Sequence, residues 1–306
     1  MTESTGKRVV IAGGSGLVGS RLIQAFLAEG TKVTLITRRP EHALFPLGVE
    51  LRHWDDLTQV VDGAEAVFNL AGEGIADKRW TTHRKKALLR SRTDTTDRIV
   101  QAIRWARHKP KVLVNASAVG VYGGRDGAPM DEAAPSGKGY LADLCRKWEA
   151  AADPVIEQGV RLVKVRMGVV LAPEGGALPK MMLPMKFFQG AALGSGQQGM
   201  SWIHIDDLVA LLLEIGSNPA WKGAINATAP FPVSNDHFTR ALAKAMHRPV
   251  LPIPAWVTRA TLRLLLGEMA EQMLLQGAFV YPKEAQALGF EFKFPTVREA
   301  LEDLLQ

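Results

Sequence analysis

"KRVVIAGGSGLVGSRL", residues 7–22, decides how this chain folds. A short apolar run from Val9 to Ala12 meets glycines spaced Gly13-x-x-Gly16-x-x-Gly19. An amphipathic pattern through Leu17, Ile23, Phe26 and Leu27 follows. A buried strand running into a helix through such a turn is a dinucleotide cradle. Gly13 permits the tight turn, Gly16 lets backbone approach a pyrophosphate, and Gly19 lets helix and sheet pack closely. The helix N-terminus adds N–H donors and a partial positive charge.

Working outward, "KVTLIT" (32–37) reads as the second strand, "VELRHW" as a weaker third and "AEAVFNLA" as the fourth. A long helix is expected over residues 82–107, then "KVLVNASA" as the fifth strand. A helix over 140–157 and "RLVKVRMGVVL" (161–171) as the sixth strand complete the alternation. Strands alternating with helices predict an α/β fold, a Rossmann-type doubly wound parallel sheet, here with a smaller mixed α+β substrate domain. The expected division is a nucleotide-binding domain over 1–170, with 202–228 returning to it. Residues 171–201 and 229–306 form the small substrate domain.

After Leu171 a Gly- and Pro-rich stretch carries Met181, Met182, Met185, Phe187 and Phe188; it reads either as a mobile apolar loop or as a lid over a cleft. "FEFKF" (290–294) alternates like a half-buried strand, and Thr296 and Glu299 have capping-box spacing.

The second strand ends in "TRR", where an NAD site would place an acidic residue for the ribose hydroxyls. Thr37 and Arg38 instead offer a hydroxyl and a guanidinium, which suit a 2′-phosphate, so NADP is the expected cofactor. Arg39 either joins them or points into solvent.

A net charge of +6 suits an anionic ligand, but the densest basic stretch, seven Lys or Arg from Lys78 to Arg92, reads as a solvated helix face. No nucleic-acid module accompanies it, and no apolar run reaches the ~20 residues of a membrane span. Cys145 is the single cysteine, so no intrachain disulfide forms, and it reads as a small buried residue. The seven histidines lack zinc-ligand spacing, so no metal is expected. No serine-hydrolase elbow or Walker-type phosphate loop occurs. The expected setting is cytoplasmic, with a small-molecule substrate and a second copy in a homodimer as partners, and with neither nucleic acid nor membrane.

The motifs resemble the extended short-chain dehydrogenase/reductase superfamily. "NLAG" (69–72) looks like its motif after the fourth strand, "HWDDL" like its adenine-side segment and "NASAVGVYG" like its fifth-strand serine motif. "NLAGEGIADKRW", "SRTDTT", "LCRKWEAAA", "GSGQQGMSWIHIDDL", "LGEMAEQMLL" and "GFEFKFP" are similar to one atypical branch, the epimerase family proteins with a small extra C-terminal domain. The resemblance runs from the first strand to the last helix.

It implies cofactor contacts at the glycine loop (Gly13, Ser15, Gly16, Leu17, Val18, Gly19), at Thr37 and Arg38, and at Leu70, Ala71 and Gly72. It implies further contacts at Arg92, Val169 and Asp55, the last for the adenine amino group. It also places Tyr140 as the acid/base, with Ser117 or Ala118 at the carbonyl-orienting hydroxyl; Ser117 is the candidate kept. The superfamily's lysine one turn past the tyrosine is absent, for Leu144 stands there. A cation within ~4–6 Å lowers a phenol pKa by roughly 1–3 units, which Leu144 cannot do, while Arg92, on a neighbouring helix, is expected to hold cofactor oxygens near the phenol. A protonated tyrosine is a poor base yet still donates to a carbonyl receiving hydride. The expected function is therefore NADP(H)-dependent reduction of a small carbonyl or sugar-like substrate. An epimerase or dehydratase and a non-catalytic NADPH-binding sensor stand as alternatives.

Overall fold

Apolar residues along the inner strands bury both faces of a central sheet. Seven parallel strands make it up: β1 (Arg8–Ala12), β2 (Lys32–Thr37), β3 (Val49–His53), β4 (Ala66–Asn69), β5 (Val112–Ala118), β6 (Arg161–Met167) and β7 (Gly223–Ala227). Their order is β7-β6-β5-β4-β1-β2-β3 in this computed structural model, which describes residues 6–42, 45–125 and 127–306. Along β1, Val9 and Ile11 enter one core and Val10 and Ala12 the other, the period of two that a doubly covered strand requires.

Helix α1 (Leu17–Ala28) closes one face through Leu22, Ile23 and Phe26. The short α2 (Leu57–Val61) and the long α3 (Thr82–Trp105) close the other, the latter through Ile99, Val100 and Ile103. Helices α4 (Tyr140–Ala152) and α5 (Leu178–Lys186) follow, and α6 (Ile205–Ser217) packs beside α1. Chain order reverses between β1 and β4, so the crevice beyond their carboxyl ends is the topological switch point where ligands bind in open α/β sheets. Among the described residues no helix is long and apolar enough to cross a membrane.

Two expectations are corrected. The run 161–171 is not one strand: β6 stops at Met167, and Val169–Ala172 pairs instead with Trp202–His204 in a separate three-stranded sheet. Gly168 makes the switch. Its N–H donates to Ala227 O, while the Val169 N–H donates to Ser201 O, and a Cβ on Gly168 would stand 2.8 Å from that same oxygen.

"FEFKF" forms no strand. The Lys293 and Phe294 N–H groups donate to the buried Asp207 carboxylate at 2.8 and 3.0 Å, which satisfies them without a ladder. Burial pushes the Asp207 pKa up, and these two bonds oppose that. Replacing Asp207 with alanine should cost about 1–3 kcal/mol in urea unfolding, because it orphans both donors. A loss too small to measure would show that water replaces the carboxylate.

A third core holds Leu171, Leu178, Met185, Trp202, Phe238 and Leu301, drawn from the segments on either side of α6. Trp202 lies in it, whereas Ile203 and Ile205 lie in the core of the central sheet. The capping box of Thr296 and Glu299 is formed in both directions at the start of the last helix, Val297–Leu305. The expected loop or lid is partly helical: α5 buries Leu178 and Met185 and leaves Phe187 and Phe188 exposed just past its end.

Candidate functional site

Gly13 has φ +87°, and a Cβ there would stand 2.6 Å from the Leu70 carbonyl. A Cβ on Gly19 would stand 2.5 Å from Gly13 O, so α1 can leave the strand this closely only with glycine there. Gly16 caps α1 without a side-chain bond, and the first turn holds no acidic residue. Donors and partial positive charge are thus left for an anion.

A cavity of about 510 Å³ opens at this turn, lined by Gly13, Gly14 and Ser15, by Thr37 and Arg38 at the end of β2, and by Ala71 and Gly72 beyond β4. Arg38 has no ion-pair partner among the described residues. Leu17 and Val18 turn their side chains into the sheet core, so only their backbone is free for a ligand. Leu70 is tied to the sheet through its N–H to Ala12 O. Neither it nor Gly16, Leu17, Val18 or Gly19 lines the cavity.

Asp55 does not line it either. Its side chain is 76% exposed and pairs with Arg98 at 3.1 Å. Its neighbour Trp54 forms the wall, with the Arg98 guanidinium 5.3 Å from the ring centroid. Beside Leu35, Ile36, Phe45 and Glu73, the lining residues not among the expected contacts include Ala87, Arg90, Ser91, Asp94, Thr95 and Arg98 of α3. These six are the ones that α3 contributes. They recur at helical spacing along one face of α3, a stripe legible in "ALLRSRTDTTDR" once that face is assigned to the crevice.

A second cleft, of about 290 Å³, lies beyond. Leu141, Leu144, Cys145 and Trp148 of α4 form one wall, and Ala118, Met167 and Val169 lie at the strand ends. Gln198, Gln272 and Gln276 reach it from the C-terminal half. A Cβ on Gly72 would stand 3.3 Å from Arg92 Cζ, so the two cavities meet where Gly72 of the first faces Arg92 of the second.

The catalytic pair expected from the resemblance is not assembled there. Tyr140 does not line the cleft. Its hydroxyl donates to Lys85 O at 3.1 Å, and its ring stands edge-on to Trp80 at 4.9 Å. Burial pushes the phenol pKa up against the opposing pull of Arg92 and Arg84, the direction expected without the lysine. Helix rotation is the reason: Leu141, one position on, takes the place facing the cleft.

Ser117 is 3% exposed and donates to Glu149 Oε1 at 2.7 Å, because that buried carboxylate needs donors. Of the two positions left open at the strand end, Ala118 is the one that faces the cleft. Cys145 lines the cleft as a thiol, pushed up to about 11 mainly by burial. Tyr140→Phe should therefore cost about 1 kcal/mol of stability in urea unfolding. No measurable loss would show that water takes over the contact with the Lys85 carbonyl.

Arg92 is buried on α3. Nη1 donates to Leu88 O and Nη2 to Glu73 O, both at 3.0 Å, and the guanidinium lies 5.1 Å from the Trp148 ring centroid. It lines the second cleft rather than the nucleotide cavity, beside Val169.

The profile of the NAD dependent epimerase/dehydratase family matches residues 9–227. The chain belongs to that family. Residues 253–304 of this epimerase-family chain match a second profile, a domain of unknown function (DUF1731). The chain is 41% identical over 307 residues to the chloroplastic epimerase family protein SDR39U1 homolog of Arabidopsis thaliana, covering 97% of this chain and 86% of that one. It is 36% identical over 310 residues to epimerase family protein SAR0825 of Staphylococcus aureus, covering 98% and 99%. Among solved structures, human epimerase family protein SDR39U1 (isoform 2), crystallised with NADPH, superposes with a TM-score of 0.87 at 34% identity, covering 97% of this chain and 99% of that one.

Proposed function

We propose that this epimerase-family chain binds NADP(H) in the first cavity and reduces a small carbonyl compound seated in the second cleft. One observation supports the cofactor choice above others: Thr37 and Arg38, the latter without an ion-pair partner among the described residues, line the cavity where an acidic residue would hold NAD. The NADPH held by the human relative supports the same choice. Bound there, NADPH supplies a hydride.

Among the described residues no phenol, carboxylate or imidazole lines the second cleft. An alcohol therefore meets only Lys138 and Cys145 as proton-transferring side chains, neither a carboxylate nor an imidazole, which disfavours the oxidation that an epimerase cycle starts with. Reduction asks less of the site. Arg92 can stabilise the alkoxide oxygen electrostatically until water protonates it. The same lack of a phenol, carboxylate or imidazole among the described lining residues favours a second reading, a non-catalytic NADPH-binding protein.

Calorimetric titration should show NADPH binding at least about tenfold more tightly than NADH; equal or tighter NADH binding would sink the cofactor assignment. Oxidation of NADPH across a panel of small carbonyl compounds separates the two readings. Its absence with every compound leaves the non-catalytic one, and epimerisation without reduction would overturn both.

A further inference from the structure

Helix α8 (Ala255–Leu266), which follows α7 (Asn235–Ala245), buries none of its twelve residues. It rests on the protein through Thr258, Leu262 and Leu266, half-buried and spaced four apart along one side. The Gly194 N–H donates to Thr258 Oγ1 at 3.0 Å, and Leu266 packs against the cluster of Trp80, Leu88 and Met269. That attachment turns Trp256, Ala260 and Leu264 outward, with the tryptophan 73% and the leucine 77% exposed. Arg259 and Arg263 border this stripe on one side and Thr261 on the other, all three exposed. Ahead of the helix, the Leu251 N–H donates to Gly190 O at 2.7 Å and the Arg248 guanidinium stands 4.6 Å from the Phe188 ring centroid. Exposed Leu251, Phe187 and Phe188 thus continue the apolar surface past the start of α8.

Exposed aromatic and leucine side chains gathered in this way mark a contact site. Charge narrows the partner. Residues 175–205 and 237–267, which supply these side chains, hold seven Lys or Arg and no Asp or Glu. Arg240 pairs with Asp236 and Arg263 with Glu271, which leaves Lys180, Lys186, Lys244, Arg248 and Arg259 without an ion-pair partner among the described residues. An isologous pairing of two copies would set those cations against one another. The α8 stripe exposes one apolar side chain per turn, the width of a helix–helix seam and narrower than the face a helix sinks among lipid chains.

We infer that the outer side of α8 docks an acidic amphipathic helix of another protein. The apolar residues of that helix lie along Trp256, Ala260 and Leu264, and its carboxylates meet Arg259 and the unpaired cations around it. The inference goes beyond the proposed function and rests on neither cavity.

The probes are two labelled helical peptides of about 20 residues with leucines at every fourth position, one flanking them with glutamates and the other with lysines. Each is titrated into the full chain by fluorescence anisotropy. The glutamate peptide should bind at least about tenfold more tightly than the lysine peptide, and added salt should shrink the difference. Trp256→Ala and Leu264→Ala should each weaken its binding at least about tenfold and leave the urea unfolding midpoint nearly unchanged. No binding of the glutamate peptide, equal affinity for the two, or binding that survives both substitutions would overturn the inference. The peptide comparison needs no variant to fold. Phosphatidylglycerol vesicles and sedimentation of the chain alone test the other occupants. Vesicle binding or self-association that Leu264→Ala abolishes would also overturn it, giving the face to lipid or to a second copy.

Discussion

Replacing Glu149 with alanine is expected to lower the unfolding free energy by about 3–5 kcal/mol, a large share of the 5–15 kcal/mol that stabilises a typical domain. The residue is 6% exposed and accepts from Ser117 Oγ at 2.7 Å and from Arg166 Nε and Nη2 at 2.9 and 3.0 Å. Arg166 also donates to Tyr122 Oη at 2.9 Å, whose own hydroxyl donates to Asn226 Oδ1 at 2.7 Å. Asn226 in turn donates to Tyr281 O at 3.0 Å, tying β7 to the C-terminal segment. Burial pulls the Arg166 pKa down, but Glu149 and Tyr122 outweigh it and hold the guanidinium above its ordinary value.

Truncating Glu149 would leave that guanidinium buried without a counter-charge and strand the Ser117 hydroxyl. Glu149→Gln keeps an acceptor and should fall between the two. Urea unfolding at neutral pH measures both, and a loss below about 1 kcal/mol for Glu149→Ala would mean that water compensates the arginine.

Arg38→Asp should weaken NADPH binding by about 100-fold while changing NADH binding little. The guanidinium that meets a 2′-phosphate is lost, and a carboxylate that repels it takes its place. Arg38 is exposed and has no ion-pair partner among the described residues, so the substitution should spare the fold. The comparison of two dinucleotides controls for general damage. Equal losses with both would place the 2′-phosphate elsewhere on the cavity wall, where Arg90 and Arg98 also stand.

Much of the molecule is readable before any coordinates. The glycine spacing, the alternation along β1 and the strand–helix rhythm announce a nucleotide-binding parallel sheet because each depends on neighbours close in the chain. Thr37 and Arg38 were legible for the same reason, as the last residue of a recognisable strand and the first past it. The polar stripe of α3 that lines the first cavity was not legible: the basic stretch there read as a solvated helix face, and spacing alone does not say which face meets the crevice.

Side-chain direction at the second cleft depended on contacts remote in sequence. Tyr140 opens its helix where the resemblance puts an acid/base, yet a turn of less than a third of a circle gives the cleft to Leu141, because Trp80 and the Lys85 carbonyl hold the phenol. Ser117 was drawn away by a carboxylate 32 positions on, and Gly168 ended a strand by exchanging Ala227 for Ser201 as a neighbour. Local pattern set the sheet, the cradle and the anion-binding turn, since period and steric allowance act between adjacent residues. Which polar groups reach the substrate was settled only in three dimensions, because a buried charge recruits whatever donor the packed helices bring within hydrogen-bonding reach.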